Sequence, residues 1–565
     1  MMFMQKNRSQ NSASAQPPIL LALLALALAC WAPAVLGQDP STDPLPAPPR
    51  AEGEGPFERL LIRNATLIDG TGAPAGGPVN IVIEGNRIVA VEKAEYIAGD
   101  MRPAAEAQQA TEEIDATGMY VLPGFVDLHL HSGDIPKTPK AEYVYKLWLA
   151  HGVTSGRGVP FASPEFSESE KARSARNEIT APRMFTYRLP FDEWEGTIET
   201  PEQARAWVQA AEKTGIDGLK LNAYPPEIMT ALLDEAKKLR LGSTAHLSQS
   251  GVANMNALDA ARLGLGTVTH FYGLFEALYA NHDIQPWPAG YNNFDEQQRF
   301  SQVASQWNRV HPQGSEEWLA LLQEFRDLGV ILDPTMTAYL ASRDVMARRT
   351  AEWHEQYTLP SLWDFYQPSR INHGSYYFDW TSWDETAWRN FYRVWMAFLN
   401  DYKNMGGRVT VSSDAGYIYN TFGFGTIAEM ELLQEAGFHP LEVIRAATLH
   451  GAQALFEPKG KPIEFGVVRA GLLADLVIVP EDPIANLKVL YGTGAVRLNE
   501  KTGQAERVGG IRYTIKDGIV YDARQLLADV ERMVAEQKAE RGITRLPEID
   551  FPGSKTNSPG GKSAE

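Results

Sequence analysis

Residues 121–133 read V-L-P-G-F-V-D-L-H-L-H-S-G, and this stretch constrains the fold of the chain more than any other. Val121, Phe125 and Val126 form an apolar run that Pro123 and Gly124 punctuate, so residues 125–131 are expected as a short buried strand. His129 and His131 fall at its end. Side chains alternate along a strand, so the two imidazoles share one face while Leu130 takes the other. Two nitrogens on one face of a strand end make a clamp for a metal ion, and further ligands have to come from elsewhere in the chain.

The segment P-G-F-V-D-L-H-L-H resembles the first-strand signature of the amidohydrolase superfamily. Its members are metal-dependent hydrolases built on a (β/α)8 TIM barrel, with a small β-sandwich formed from both flanks of the barrel. The resemblance implies that a lysine, two separate histidines and an aspartate follow at the ends of later strands. The chain supplies them in that order. Lys220 lies in G-I-D-G-L-K-L-N, His246 closes L-G-S-T-A-H, His270 closes G-T-V-T-H, and Asp414 ends G-R-V-T-V-S-S-D ahead of Ala415 and Gly416. Helical patterns at 141–150, 204–212, 226–240 and 253–264 alternate with these strands, which is the order of a barrel whose chemistry sits at the C-terminal strand ends.

Lys220 is flanked by Leu219 and Leu221 on an element expected to be buried, where an unpaired ammonium is costly. The resemblance implies a carbamylated lysine that bridges two metals. It also assigns His129, His131 and Asp414 to the more buried ion and His246 and His270 to the other. Imidazole and carboxylate donors suit zinc, two ions per chain, or another first-row divalent metal. The same resemblance makes Asp414 the catalytic group that takes a proton from a water activated between the metals and delivers it to the leaving amine. Two substrate contacts are placed by position alone: Tyr224, four residues past Lys220, as a donor to the oxyanion, and Arg157, at the second strand end, as a holder of a substrate carboxylate.

The flanks carry a different texture. Residues 60–69, 79–84 and 87–91 are short alternating strands broken by turns, and residues 474–479 and 513–521 repeat the pattern downstream. N-A-T-L-I-D-G, G-L-L-A-D-L-V-I-V and K-D-G-I-V resemble the superfamily's sandwich signatures. The expected order is a first sandwich part at 58–120, a metal-binding barrel at 121–458 and a second sandwich part at 459–522. Residues 523–565 then read as a charged helix and a disordered tail, and residues 440–455 as the helix that follows the last barrel strand. Long insertions at about 271–404 hold nine of the thirteen tryptophans, from Trp287 to Trp395, so these helices either need an aromatic core of their own or wall the entrance to the site.

The first 37 residues combine Lys6 and Arg8, an apolar run rich in Leu and Ala, and V-L-G before Gln38, which is a secretory signal pattern too short for a membrane span. The mature protein is expected to be periplasmic or secreted, with no stable membrane insertion and a flexible Pro-rich leader at 38–57. Cys30, the single cysteine, sits in L-A-L-A-C, a poor lipid acceptor because Ala27 stands where a larger aliphatic residue is usual. Cleavage after Gly37 leaves no thiol, which removes disulfides and thiolate chemistry. A net charge of −18 disfavours nucleic acid and anionic membrane as partners and leaves a small-molecule substrate, with homo-oligomers open. The resemblance implies hydrolysis of an amide C–N bond in a dipeptide, an N-acyl amino acid or a cyclic amide. A lactonase or phosphoesterase on the same site, or a non-catalytic binding barrel, are the alternatives.

Overall fold

The computed structural model describes residues 42–548, apart from 98–99, 103–109, 159–161, 191–195, 281–284, 286, 371–372 and 374. The expected signal peptide at 1–37, with Cys30, and the expected tail at 553–565 lie outside the described residues.

Eight parallel strands follow one another in sequence order: β1 (Phe125–Leu130), β2 (Val153–Gly158), β3 (Arg183–Arg188), β4 (Gly218–Leu221), β5 (Gly242–Ala245), β6 (Thr267–Thr269), β7 (Ile331–Asp333) and β8 (Arg408–Val409). Each pairs with the next, and the two ends of the sheet meet where Leu128 N donates to Val411 O at 3.1 Å and Asp414 N to His129 O at 3.0 Å. This curled parallel sheet fits a (β/α)8 barrel. The helices between and after the strands include α1 (Ala141–Ala150), α2 (Pro164–Ala175), α3 (Pro201–Glu212), α4 (Pro226–Lys238), α5 (Ala257–Arg262), α6 (Glu316–Asp327), α7 (Ser382–Asn404) and α8 (Phe424–Glu435). Local chemistry fixes several of their starts. Thr200 and Thr381 each close a capping box, with Gln203 and Asp384, ahead of α3 and α7.

Strands from both flanks join a single eight-stranded sheet. Its order is Ile519–Asp522, Tyr513–Lys516, Leu476–Val479, Tyr120–Pro123, Leu60–Leu67, Gly76–Glu84 and Arg87–Lys93, with Glu112–Asp115 also beside Leu60–Leu67. The reason is Tyr120–Pro123, which pairs with Leu60–Leu67 on one side and Leu476–Val479 on the other and so stitches the flanks into one ladder. Alternation then divides the faces. Val121, Leu476 and Ile478 pack with Leu60, Ile62 and Ile81, while Leu122, Val477 and Val479 join the barrel core.

The structure departs from the sequence reading at three places. Residues 42–57, expected as a flexible leader, are pinned to the barrel: Leu45 N donates to Pro139 O at 2.8 Å and Arg50 N to Glu178 O at 2.7 Å. Glu52 accepts from the buried Lys146 Nζ at 2.7 Å and from Thr180 Oγ1 at 2.6 Å, so a carboxylate meeting a buried cation outweighs the extended Pro-rich composition. Strand β3 has no counterpart in the sequence reading. The helix that follows β8 is α8, not the segment at 440–455, which is a second helical stretch interrupted by a π-turn at Ala446–His450. α8 is buried on most of its surface and therefore lacks the polar stripe by which a surface helix is recognised.

Candidate metal centre

The barrel strands are short, and the residues just beyond their C-terminal ends carry the site. At the end of β1, His129 and His131 project toward Asp414, the two imidazoles with centroids 5.3 Å apart. His131 Nε2 lies 2.9 Å and His129 Nε2 3.5 Å from Asp414 Oδ1. These three side chains place one ligand atom each within 4.8 Å of one another. His270 follows directly on β6, its ring 5.1 Å from His129 and its Nδ1 3.9 Å from Asp414 Oδ2. His246 follows β5 and meets His270 edge-on at 4.6 Å.

Three strand-end residues of this cup adopt the left-handed backbone region, His270 (φ 65°), Thr335 (φ 49°) and Asp414 (φ 45°). Non-glycine residues reach that region at a cost that the surrounding structure has to offset. The turn after β7 is held by Glu429 of α8, a buried carboxyl that accepts from Met336 N at 2.9 Å and Thr337 N at 2.7 Å.

Lys220, on β4, is buried, and its Nζ has no hydrogen-bond partner among the described residues. Burial pulls its pKa from 10.5 down to about 7; the Arg157 charge adds to that effect, and Asp414 and Asp333 oppose it. Burial first, with the Lys220 charge contributing, also holds the imidazoles of His129, His246 and His270 well below their usual pKa. The result is a buried cluster of neutral nitrogen donors beside a carboxylate. Such a donor set fits a divalent ion.

A polar scaffold holds these groups. Asp127, two residues before His129, accepts from His129 N and Ser413 N, both at 3.0 Å, and from Thr426 Oγ1 at 2.7 Å, so one buried carboxyl fastens both halves of the site. Burial pushes its pKa up to about 6. His129 Nδ1 lies 3.1 Å from Thr269 Oγ1, which donates to Asp333 Oδ2 at 3.2 Å. His270 Nδ1 lies 2.5 Å from Thr335 Oγ1, which donates to Pro334 O at 2.6 Å. Asp127, Thr269, Asp333 and Thr335 were not singled out from the sequence. Asp127 has a signal there, since the period of a strand puts it on the face of His129 and His131.

Arg157 corrects an expectation. It is buried on β2, where its Nε donates to Leu128 O at 2.8 Å and its Nη2 pairs with Asp333. A guanidinium whose donors are committed inside the barrel does not hold a substrate carboxylate. Tyr224 is buried in the barrel's apolar core cluster, in the loop that follows β4.

The insertions form much of the surrounding wall. Tyr272 packs on His246 at 4.6 Å and Tyr339 on His270 at 5.8 Å, with the two hydroxyls 3.2 Å apart. Tyr339 stacks on Trp388 at 5.6 Å, and Phe271, Phe391 and Trp395 continue the cluster. Tyr417 packs on His131 at 5.5 Å and carries the Lys137 ammonium over its ring at 4.3 Å.

No family model matches the chain. Among curated proteins it is 40% identical over 73 residues to the dihydroorotase of Thermoanaerobacter sp. (strain X514), a match covering 13% of this chain and 14% of that protein. It is 38% identical over 76 residues to the D-aminoacylase of Alcaligenes xylosoxydans xylosoxydans, covering 14% of this chain and 13% of that protein. The chain thus spans only about a seventh of the length of these relatives. Among solved structures, a Xaa-Pro dipeptidase with bound methionine in its active site has a TM-score of 0.54 at 17% identity, covering 82% of this chain and all of that one, which is a likeness of fold.

Proposed function

We infer that this chain belongs to the amidohydrolase superfamily and is a metal-dependent hydrolase cleaving an amide C–N bond in a small molecule. One observation carries the reading most: His129, His131 and Asp414 converge from the two ends of the barrel sheet, with His270, His246 and the unpartnered Lys220 around them. A barrel that only bound a ligand has no physical need to bury a free amine among four imidazoles.

In this reading His129, His131 and Asp414 would hold one divalent ion, His246 and His270 a second, and a carbamylated Lys220 would add a further oxygen donor; zinc suits the donors. Bound there, the ions supply Lewis acidity toward the scissile carbonyl and lower the pKa of water. The chain's own residues do the rest. Asp414, in contact with His131 and His129, takes a proton from the attacking water and returns it to the leaving nitrogen. Lys220 is neutral above about pH 7, the form that reacts with carbon dioxide. Tyr224 stands four residues beyond Lys220 as a donor to the developing oxyanion. The aromatic wall excludes water and shapes the entrance.

Dipeptides, N-acyl amino acids and cyclic amides are the substrate classes in view. The D-aminoacylase and Xaa-Pro dipeptidase likenesses support the first two. Export rests on the sequence of residues 1–37, with Cys30 lipidation as the lesser alternative. The test is a panel of these amides, with lactones and phosphoesters alongside, assayed on the protein reconstituted with zinc. Amide turnover that disappears in Asp414→Asn is the expected result. Turnover of lactones or phosphoesters without amides would transfer the reading to those bonds.

A further inference from the structure

The hydroxyls behind the histidines decide which ring nitrogen carries the proton. His129 Nδ1 meets Thr269 Oγ1 at 3.1 Å, and the same oxygen lies 3.2 Å from Asp333 Oδ2. A hydroxyl has one proton to give. Asp333 Oδ2 also faces Arg157 Nη2, and an oxygen facing a guanidinium donor carries no proton itself. Were Thr269 to donate to His129 instead, two oxygens 3.2 Å apart would be left with no proton between them, inside a buried site. Thr269 therefore donates to Asp333 and accepts from His129 Nδ1.

The second case is independent and reaches the same result. Thr335 Oγ1 lies 2.6 Å from Pro334 O, which can only accept, and 2.5 Å from His270 Nδ1. Its proton goes to the carbonyl, so the ring supplies the proton of the other bond. Both relays follow from one register. Thr269 and Asp333 are direct partners across β6 and β7, and the next bond of that ladder, His270 N to Asp333 O at 2.9 Å, carries His270 to the level of Thr335.

We propose that Thr269 and Thr335 are positioning residues that lock His129 and His270 with the proton on Nδ1, leaving both Nε2 lone pairs for a divalent ion, and that Arg157 and Asp333 anchor the first of these relays. The inference rests on the metal-centre reading above. It gives the buried Arg157–Asp333 pair a purpose at the site, because the pair fixes the direction in which Thr269 gives its proton.

The test is Co(II) affinity of the full mature chain, measured by competition with a chromophoric chelator, for the parent and for Thr269→Val, Thr335→Val, Thr269→Ser and Thr335→Ser. Valine keeps the shape and removes the hydroxyl, and serine restores it. The expected result is a weakening of about 10- to 100-fold in each valine variant, recovered to within a few-fold by serine. Valine variants that bind Co(II) like the parent, or serine variants as weak as valine, overturn the proposal. A parent that binds no Co(II) would instead sink the metal-centre reading itself. Should a valine variant fail to fold, nitrogen-15 histidine spectra of the metal-free parent decide: Nδ1–H on His129 and His270 supports the relays, and Nε2–H on either overturns its relay.

Discussion

His131 and Asp414 are separated by 283 positions in sequence, yet His131 Nε2 and Asp414 Oδ1 lie 2.9 Å apart at the seam where the barrel sheet meets itself. The two ends of the barrel sheet thus supply the two halves of one candidate ligand triad, so the seam and the site stand or fall together. Asp127 guards both, because it receives backbone N–H groups from each side. Asp127→Ala leaves three buried donors without an acceptor and should cost about 3 kcal/mol or more, whereas Asp127→Asn keeps one acceptor and should cost less. Urea midpoints of the two variants check the order, and equal losses would contradict it.

Lys220→Ala should abolish amide turnover, by about 100-fold or more, and short carboxylic acids added to the assay should restore part of it by standing in for the missing carbamate. The buried, unpartnered Nζ is the motive. Full activity in the variant, or loss with no rescue at any acid concentration, would remove the carbamate from the account.

Arg157→Met should act on stability and metal content, not on substrate affinity, since the guanidinium faces Asp333 and Leu128 O within the barrel. Breaking a buried ion pair by deleting one partner costs about 3 to 5 kcal/mol. A variant that folds and holds metal like the parent but shows a raised KM only for carboxylate-bearing substrates would restore the role first expected of this residue.

Trp388 and Trp383 separate two uses of the aromatic insertions. Trp388 is fully buried and stacked on Tyr339, so its replacement by alanine should cost about 3 to 5 kcal/mol. Trp383 is 83% exposed, and the same change should fall within about 0.5 kcal/mol. If Trp383→Ala also leaves the ranking of amide substrates untouched, this exposed ring has no part in the entrance.

His151 supplies a pH dependence outside the metal centre. It lies under Phe424, with ring centroids 4.3 Å apart and Nδ1 2.8 Å from Leu147 O, and burial takes its pKa from 6.5 to about 4. The folded value is below the unfolded one, so the unfolded chain binds the extra proton between these limits and stability falls as pH drops through that window. That gap corresponds to about 3 kcal/mol. His151→Gln should lose correspondingly less stability between pH 7 and pH 4, read from urea midpoints, and an unchanged acid limb would show that the imidazole is not held neutral.

The order of the candidate ligands was legible through the resemblance that P-G-F-V-D-L-H-L-H carries, which implies Lys220, His246, His270 and Asp414 at later strand ends. Their supports were not legible, since Thr269 and Asp333 are ordinary residues until the β6–β7 register sets them side by side, 64 positions apart in sequence. Arg157 was misplaced for a related reason: its position at a strand end was visible, but its carboxylate partner lies five strands further along the barrel. β3 went unread because R-M-F-T-Y-R, buried on both faces, shows no clean alternation and no candidate ligand marks its end. The buried helix α8 lost out to the more patterned residues 440–455.

The most direct measurement is metal content by mass spectrometry on protein produced without residues 1–37 and purified without chelator. About two divalent ions per chain are expected, lost in both His129→Ala and Asp414→Ala with the fold intact. A folded protein that carries no metal and takes up no added zinc would contradict that expectation and leave the barrel as a binding module.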